Sequence, residues 1–211
     1  NSIPFAVYID SDNGDIGPLS RWRRANGRGM VEDRFTQPMR LTIDETGRWA
    51  DIRLLEFKNQ PDWYAANACG RAVDEGTWRN DNSFWSAAES HFTFTQAQLA
   101  GAEIFNDGDL SVWPRVRITG PVTNPKFGLG AELITIPVTV AAGGWLDIQT
   151  DPDLWGITDQ AGVDRSWIGD RWHQKAIPTA ATGQPVVLTG TGMAAATRLD
   201  IWLPQRYWSP L

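Results

Sequence analysis

Residues 113–121 read Trp113-Pro114-Arg115-Val116-Arg117-Ile118-Thr119-Gly120-Pro121. Between the two prolines, apolar Val116 and Ile118 alternate with polar Arg115, Arg117 and Thr119. Strand side chains point to opposite faces in turn, so this period of two puts one face on a core and the other in water, as in a one-sided antiparallel sheet. The pattern recurs outward from here. Leu133–Val140 alternates through Ile134, Ile136, Val138 and Val140, and His91–Thr95 sets Phe92 and Phe94 on one face. Trp145–Ile148, Pro185–Thr189 and Leu199–Leu203 add short strands. Turn signals separate them at Asn106-Asp107-Gly108-Asp109, Ala142-Gly143-Gly144 and Thr189-Gly190-Thr191-Gly192. Upstream, Met39–Asp44 and Ala50–Phe57 flank Glu45-Thr46-Gly47-Arg48, which predicts a hairpin with Gly47 at positive φ.

The predicted fold class is therefore all-β, an antiparallel β-sandwich with at most one or two short helices. The helix expectation falls on Pro61–Glu75, which has a Pro start and an Ala-rich middle but is interrupted by Gly70. Residues 1–35 read as an N-terminal arm or loop, residues 36–103 as a β-rich part, and residues 104–211 as a regular sandwich, with the boundary near Glu103–Asn106.

With 211 residues the chain can bury one large core or two small ones. Its 20 Gly and 13 Pro break every apolar run short of the roughly 18 residues of a membrane span, so no span is expected. Cys69 stands alone and there are two histidines, which excludes a disulfide framework and the usual zinc sites. A net charge of −6, spread over both halves, argues against nucleic-acid binding, which needs a basic surface. No Met stands at position 1 and Asn1–Ser20 shows no signal-peptide pattern, so a processed or truncated start is expected.

Twelve Trp and an Arg-to-Lys ratio of 16 to 3 are the unusual counts. Indoles and guanidinium groups are enriched at protein interfaces, and Trp rings also stack on sugars, so both a packed assembly and a carbohydrate-binding module remain open. Trp22, Trp78, Trp85 and Trp208 are the candidate anchors or glycan-stacking rings, with core packing as the plain alternative for each.

Catalytic readings are weaker. His173 follows Asp170-Arg171-Trp172, but no nucleophile-elbow setting accompanies it, and His91 reads as a surface or interface side chain. Cys69 reads as a small apolar group. Asp151-Pro152-Asp153 and Asp107-Gly108-Asp109 could supply a glycosidase carboxylate pair, yet among 25 acidic residues such spacing carries no information. The acidic turns at residues 10–15 and 106–109 lack the Glu of a calcium loop and read as Asx turns. Arg21–Arg28 reads better as an ion-pair network between subunits than as a phosphate grip, because Glu32 and Asp33 neutralise it. No cofactor, metal or catalytic residue is assigned.

More specific is a set of longer matches. Phe105-Asn106-Asp107-Gly108-Asp109, then Trp113–Pro121, then Thr123-Asn124-Pro125 resemble the segment that opens the second domain of siphophage distal tail proteins, where an N-x-G-D turn precedes a strand ending I-x-G-P. Leu146-Asp147-Ile148-Gln149-Thr150-Asp151-Pro152 is similar to the family's L-x-I-D-T-x-P strand, with Gln149 where Asp is common. Asp159-Gln160-Ala161-Gly162-Val163-Asp164 matches its acidic, Gly-centred turn. Arg206-Tyr207-Trp208 is similar to its terminal P-R-Y-W, with Gln205 separating Pro204. The resemblance covers about residues 104–211. The hairpin at Met39–Phe57 and Asn82-Ser83-Phe84-Trp85-Ser86 look like the end of the family's first domain, and residues 1–35 are not covered. The motif residues are Asn106, Gly108, Asp109, Pro114, Gly120, Pro121, Asn124, Pro125, Asp147, Thr150, Pro152, Gly162, Arg206 and Tyr207.

The resemblance implies a structural virion protein, made in the host cytoplasm, and no enzyme. It implies a hexameric ring at the tip of a long non-contractile tail, part of a baseplate-like assembly. There the first domain is a belt, here a partial one, and the second is a galectin-like sandwich facing outward. Implied partners are copies of itself, the tail tube, the tape-measure, and hub, receptor-binding or other minor tail proteins; host cell-wall glycan is the alternative partner.

Overall fold

The computed structural model describes residues 2–10, 17–23, 39–58, 64, 68, 71–80, 82–130, 133–171, 175–178 and 183–211. The chain divides into two compact units, Asn1–Trp85 with Ser209–Leu211, and Ser86–Trp208.

The first unit holds β1 (Ser2–Asp10), a helix over residues 17–23, β2 (Met39–Thr42), β3 (Trp49–Phe57) and β4 (Arg71–Asn80). Its sheet runs β1-β4-β3, with β2 also on β3, all antiparallel. The expected hairpin forms between β2 and β3: Gly47 takes φ 64° and its N–H donates to Ile43 O at 2.8 Å. Residues 2–10 are not the expected arm or loop. Ile3, Phe5, Val7 and Ile9 alternate with Ser2, Pro4, Ala6 and Tyr8, and the whole stretch pairs with β4 from Ser2↔Arg79 to Asp10↔Arg71. Pro4 is tolerated because β1 ends the sheet among the described residues, where a missing N–H costs little.

The helix expected over Pro61–Glu75 is cut back. Tyr64 and Ala68 are helical, but Arg71–Glu75 already belong to β4, and the rest of 61–70 lies outside the described residues. β4 overrides its helix-like composition because tertiary partners are built for it on both sides. Phe5 stacks on Trp78 at 4.3 Å between centroids, and Trp22 packs edge-on against both rings. Leu19, Ala50 and Ile52 are also buried in this unit.

The second unit contains β5 (Trp85–Thr95), a 3-10 turn at Gln96–Gln98, β6 (Glu103–Ile104), β7 (Arg115–Thr119), β8 (Val122–Leu129), β9 (Ile134–Thr135), β10 (Thr139–Val140), β11 (Trp145–Gln149), β12 (Gly156–Asp159), β13 (Gln184–Thr191) and β14 (Arg198–Tyr207). One sheet runs β5-β14-β7-β11-β12, the other β10-β8-β13-β6 with β9 on β8. The regular part therefore begins at β5 rather than near residue 104. Leu133–Val140 is not one strand: β9 and β10 both pair with β8, but the register slips by one residue between Lys126↔Thr135 and Thr123↔Thr139, where Val138 N–H turns back onto Ile136 O at 2.8 Å.

β7 is the middle of the first sheet. Val116 faces Ile148 and Ile201, and Ile118 faces Leu146 and Leu199, all at 2% exposure or less. Val122, Phe127, Leu129, Val140, Val186 and Leu188 of the other sheet join the same cluster, so the unit is a two-sheet sandwich around one aliphatic core. Each such side chain contributes about 1.5–3 kcal/mol by leaving water.

Candidate interaction surface

The motif residues turn out to hold turns. Asn106 is buried; its Nδ2 donates to Leu110 O and Ala176 O, both at 2.9 Å, while its Oδ1 accepts from Gly108 N–H at 3.1 Å. Asp109 N–H donates to Arg206 O at 2.8 Å and the Asp109 carboxylate accepts Trp208 N–H at 3.0 Å, tying this turn to the Arg206-Tyr207 end of β14. Pro114 O accepts the Thr150 hydroxyl. At Gly120 a Cβ would lie 2.3 Å from Ala141 O and 2.4 Å from Val140 O, so only glycine permits this approach. Pro121, joined to Gly120 by a cis bond, accepts the Thr197 hydroxyl at 2.7 Å.

The remaining motif positions behave alike. Asn124 N–H donates to Val138 O at 2.8 Å beside Pro125, and Pro152 sits in a turn closed by Leu154 N–H on Asp151 O at 2.9 Å. Gly162 N–H donates to Asp159 O at 2.9 Å. Within that turn the Asp159 carboxylate accepts from Val163 N–H, Arg165 Nε and Ala161 N–H, which together hold its carboxyl below the usual range. The Ser166 hydroxyl and N–H do the same for Asp164. These residues fix a backbone.

The face of β5-β14-β7-β11 that points away from the core is different. Arg117 forks onto Asp147 with two bonds of 2.6 Å, which hold its guanidinium protonated above the ordinary value. Asp200, nearly buried, accepts from Arg198 Nε at 2.8 Å and the Thr93 hydroxyl at 2.7 Å, with His91 Nε2 at 3.3 Å. Trp202 carries the His91 ring, parallel within 4° at 4.6 Å, and the Arg115 guanidinium at 4.1 Å. Arg117 also lies 4.2 Å from the Trp145 ring centroid. Alternation places these side chains on one face, and cross-strand register places them in contact. Cation–π and ion pairs thus hold long side chains rigid before any partner arrives.

The four candidate rings divide. Trp78 and Trp85, at 8% and 7% exposure, face inward and are unavailable to a partner. Trp22 donates its Nε1–H to Asp74 at 3.2 Å and is packed in the same cluster. Trp208 is 65% exposed. Sequence reasoning did not single out Trp167, which is more exposed at 79%, or the Trp202 and Trp145 rings. Both outer-face indoles were accessible to it, since alternation continues through β14 and β11.

The Asp151 and Asp153 pair forms an Asx turn, with Asp153 N–H on Asp151 Oδ1 at 3.0 Å. Residues 11–16, Arg24–Arg28, Cys69 and His173 lie outside the described residues. Among the described residues no three metal-ligating side chains come together, and no helix is long and apolar enough to cross a membrane.

With this geometry in hand, one solved structure is informative. The fold is similar to that of a phage protein. The crystal structure of SPP1 Dit, described as a paradigm of the hub adsorption apparatus in phages infecting Gram-positive bacteria, matches with a TM-score of 0.65 over 97% of this chain and 78% of Dit. Sequence identity is 11%, so what the likeness to Dit shows is the fold. No family model matches the chain. No curated protein matches it in sequence.

Proposed function

We propose that the protein is a structural subunit of the tail tip of a long-tailed, non-contractile phage. It works as a distal tail protein: copies of it close into a hexameric ring that joins the tail tube to the hub and to receptor-binding or other minor tail proteins. The first unit serves as the belt and the second, a galectin-like sandwich, faces outward. The observation that carries this reading is the likeness to Dit along 97% of the chain. The turn motifs agree with it, and the prepaired Arg, Asp and Trp face suits a mechanical contact. A closed ring requires head-to-tail contacts between different surfaces of neighbouring copies.

Native mass spectrometry of the full chain, together with protein identification in purified virions, tests the proposal. A ring-sized species and presence in the particle are expected. A protein that stays monomeric at every concentration and is missing from virions would overturn it.

A further inference from the structure

The strands of the second unit leave a groove of about 220 Å³ where the β10–β11 connection meets the turn after β12. Val140, Ala141 and Trp145 line it on the apolar side, and Asp159, Gln160 and Arg165 on the polar side. The volume is below the roughly 300–1,000 Å³ of pockets for drug-sized ligands, so it suits a single small ring. Arg117 lies over the Trp145 ring at 4.2 Å from its centroid, and the same side chain lines the groove.

Its polar groups are paired in a telling way. Arg165 uses Nε to hold Asp159 at 3.0 Å, and among the described residues neither its two terminal amino groups nor the Gln160 amide makes a hydrogen bond. Guanidinium and carboxylate cancel, so an anion meets Asp159 and a cation meets Arg165. A neutral hydroxyl suits both, donating to the carboxylate and accepting from the guanidinium, with Gln160 able to do either. A pyranose can set its apolar C–H groups against Val140, Ala141 and the Trp145 side chain while its hydroxyls turn to the polar wall.

We propose that this groove is a binding subsite for one neutral sugar residue. The proposal stands whether or not the chain forms a tail ring. It also narrows where sugar could bind on the outer face, because Trp202 already carries His91 and Arg115.

The test is a titration of the ¹⁵N-labelled full chain with methyl glycosides of glucose, galactose and N-acetylglucosamine up to about 50 mM, with glucuronic acid as the anionic probe. At least one neutral glycoside should shift the Trp145 indole N–H and the Gln160 and Ala161 amides saturably. Affinity should fall at least about tenfold in Gln160→Ala and in Ala161→Trp, whose side chain fills the groove. Both positions are exposed, so the fold should survive. The proposal is overturned if no neutral glycoside gives a saturable shift, if glucuronic acid binds more tightly than all of them, or if the shifts centre on Trp167 or Trp208.

Discussion

In residues 86–208 the core is aliphatic and follows from strand alternation: Val116, Ile118, Ile148, Leu199 and Ile201 meet across neighbouring strands and are fully buried. In residues 1–85 the centre is a Phe5–Trp22–Trp78 ring cluster beside an ion pair. There Arg23, from the helix at 17–23, forks onto a buried Asp74 in the middle of β4, at 2.7 and 3.0 Å. The first arrangement is specified locally, strand by strand. The second needs a helix to deliver two side chains to a carboxylate more than fifty residues away, and β4 makes no sense as a strand until that helix is in place. The lesson is that a buried charge can define a sheet as firmly as a row of valines, but only through its partner.

Three experiments break or sharpen this contrast. The largest effect is expected from Phe127→Ala in the aliphatic core, which should cost about 3–5 kcal/mol in chemical denaturation, since a fully buried ring leaves a cavity that the two sheets cannot close. Next is Asp74→Ala, at about 3 kcal/mol, because Arg23 and the Trp22 indole lose their acceptor in a nearly dry site. The double variant Arg23→Met with Asp74→Leu should regain most of that loss. A double variant as unstable as the single one would show that the ion pair is not what the helix depends on.

The smallest effect is acid loosening of the 159–166 turn. Asp159 and Asp164 are held below their ordinary 3.8, so their contribution is complete above that value and is lost as pH falls through the lowered ones. Amide shifts of Ala161, Val163 and Ser166, followed from roughly pH 5 to pH 2, should show midpoints under 3.8. Midpoints at or above it would mean that the turn's carboxylates are unpaired in solution.

What could be read in advance follows the same divide. β7, β11, β13, β14 and the β2–β3 hairpin are visible as alternation bounded by turn residues, and the second unit needs little else. β8 is hidden by Asn124 and Pro125, where φ is 50° at Asn124 and the chain still continues as a strand. β4 is hidden because its first residues, Arg71–Glu75, fall within the helix expected over Pro61–Glu75, and the partner of Asp74 appears only once Arg23 is placed. The motif residues near 106–125 and 147–162 were legible as a resemblance because turns impose residue types: Asn106 must satisfy two carbonyls, and Gly120 must admit Ala141 O. That is also why they point to a fold and not to a chemistry. The groove at Trp145 was not legible, because Asp159 and Arg165 come to border an indole of another strand only after the sheet has formed.

β14 has a further implication, in time rather than in space. It lies between β5 and β7 and carries Leu199, Ile201 and Leu203 into the core, yet it is the strand furthest along the chain. As the polypeptide emerges from the ribosome, β7 can join β11 once Trp145–Gln149 are made, but its other side stays open until synthesis has reached Arg198. Through that interval the nascent sheet carries an uncovered apolar row along an unpaired edge, the kind of surface that chaperones shield and that premature association exploits. Closure of this sheet thus waits on β14, the last of its strands to be made.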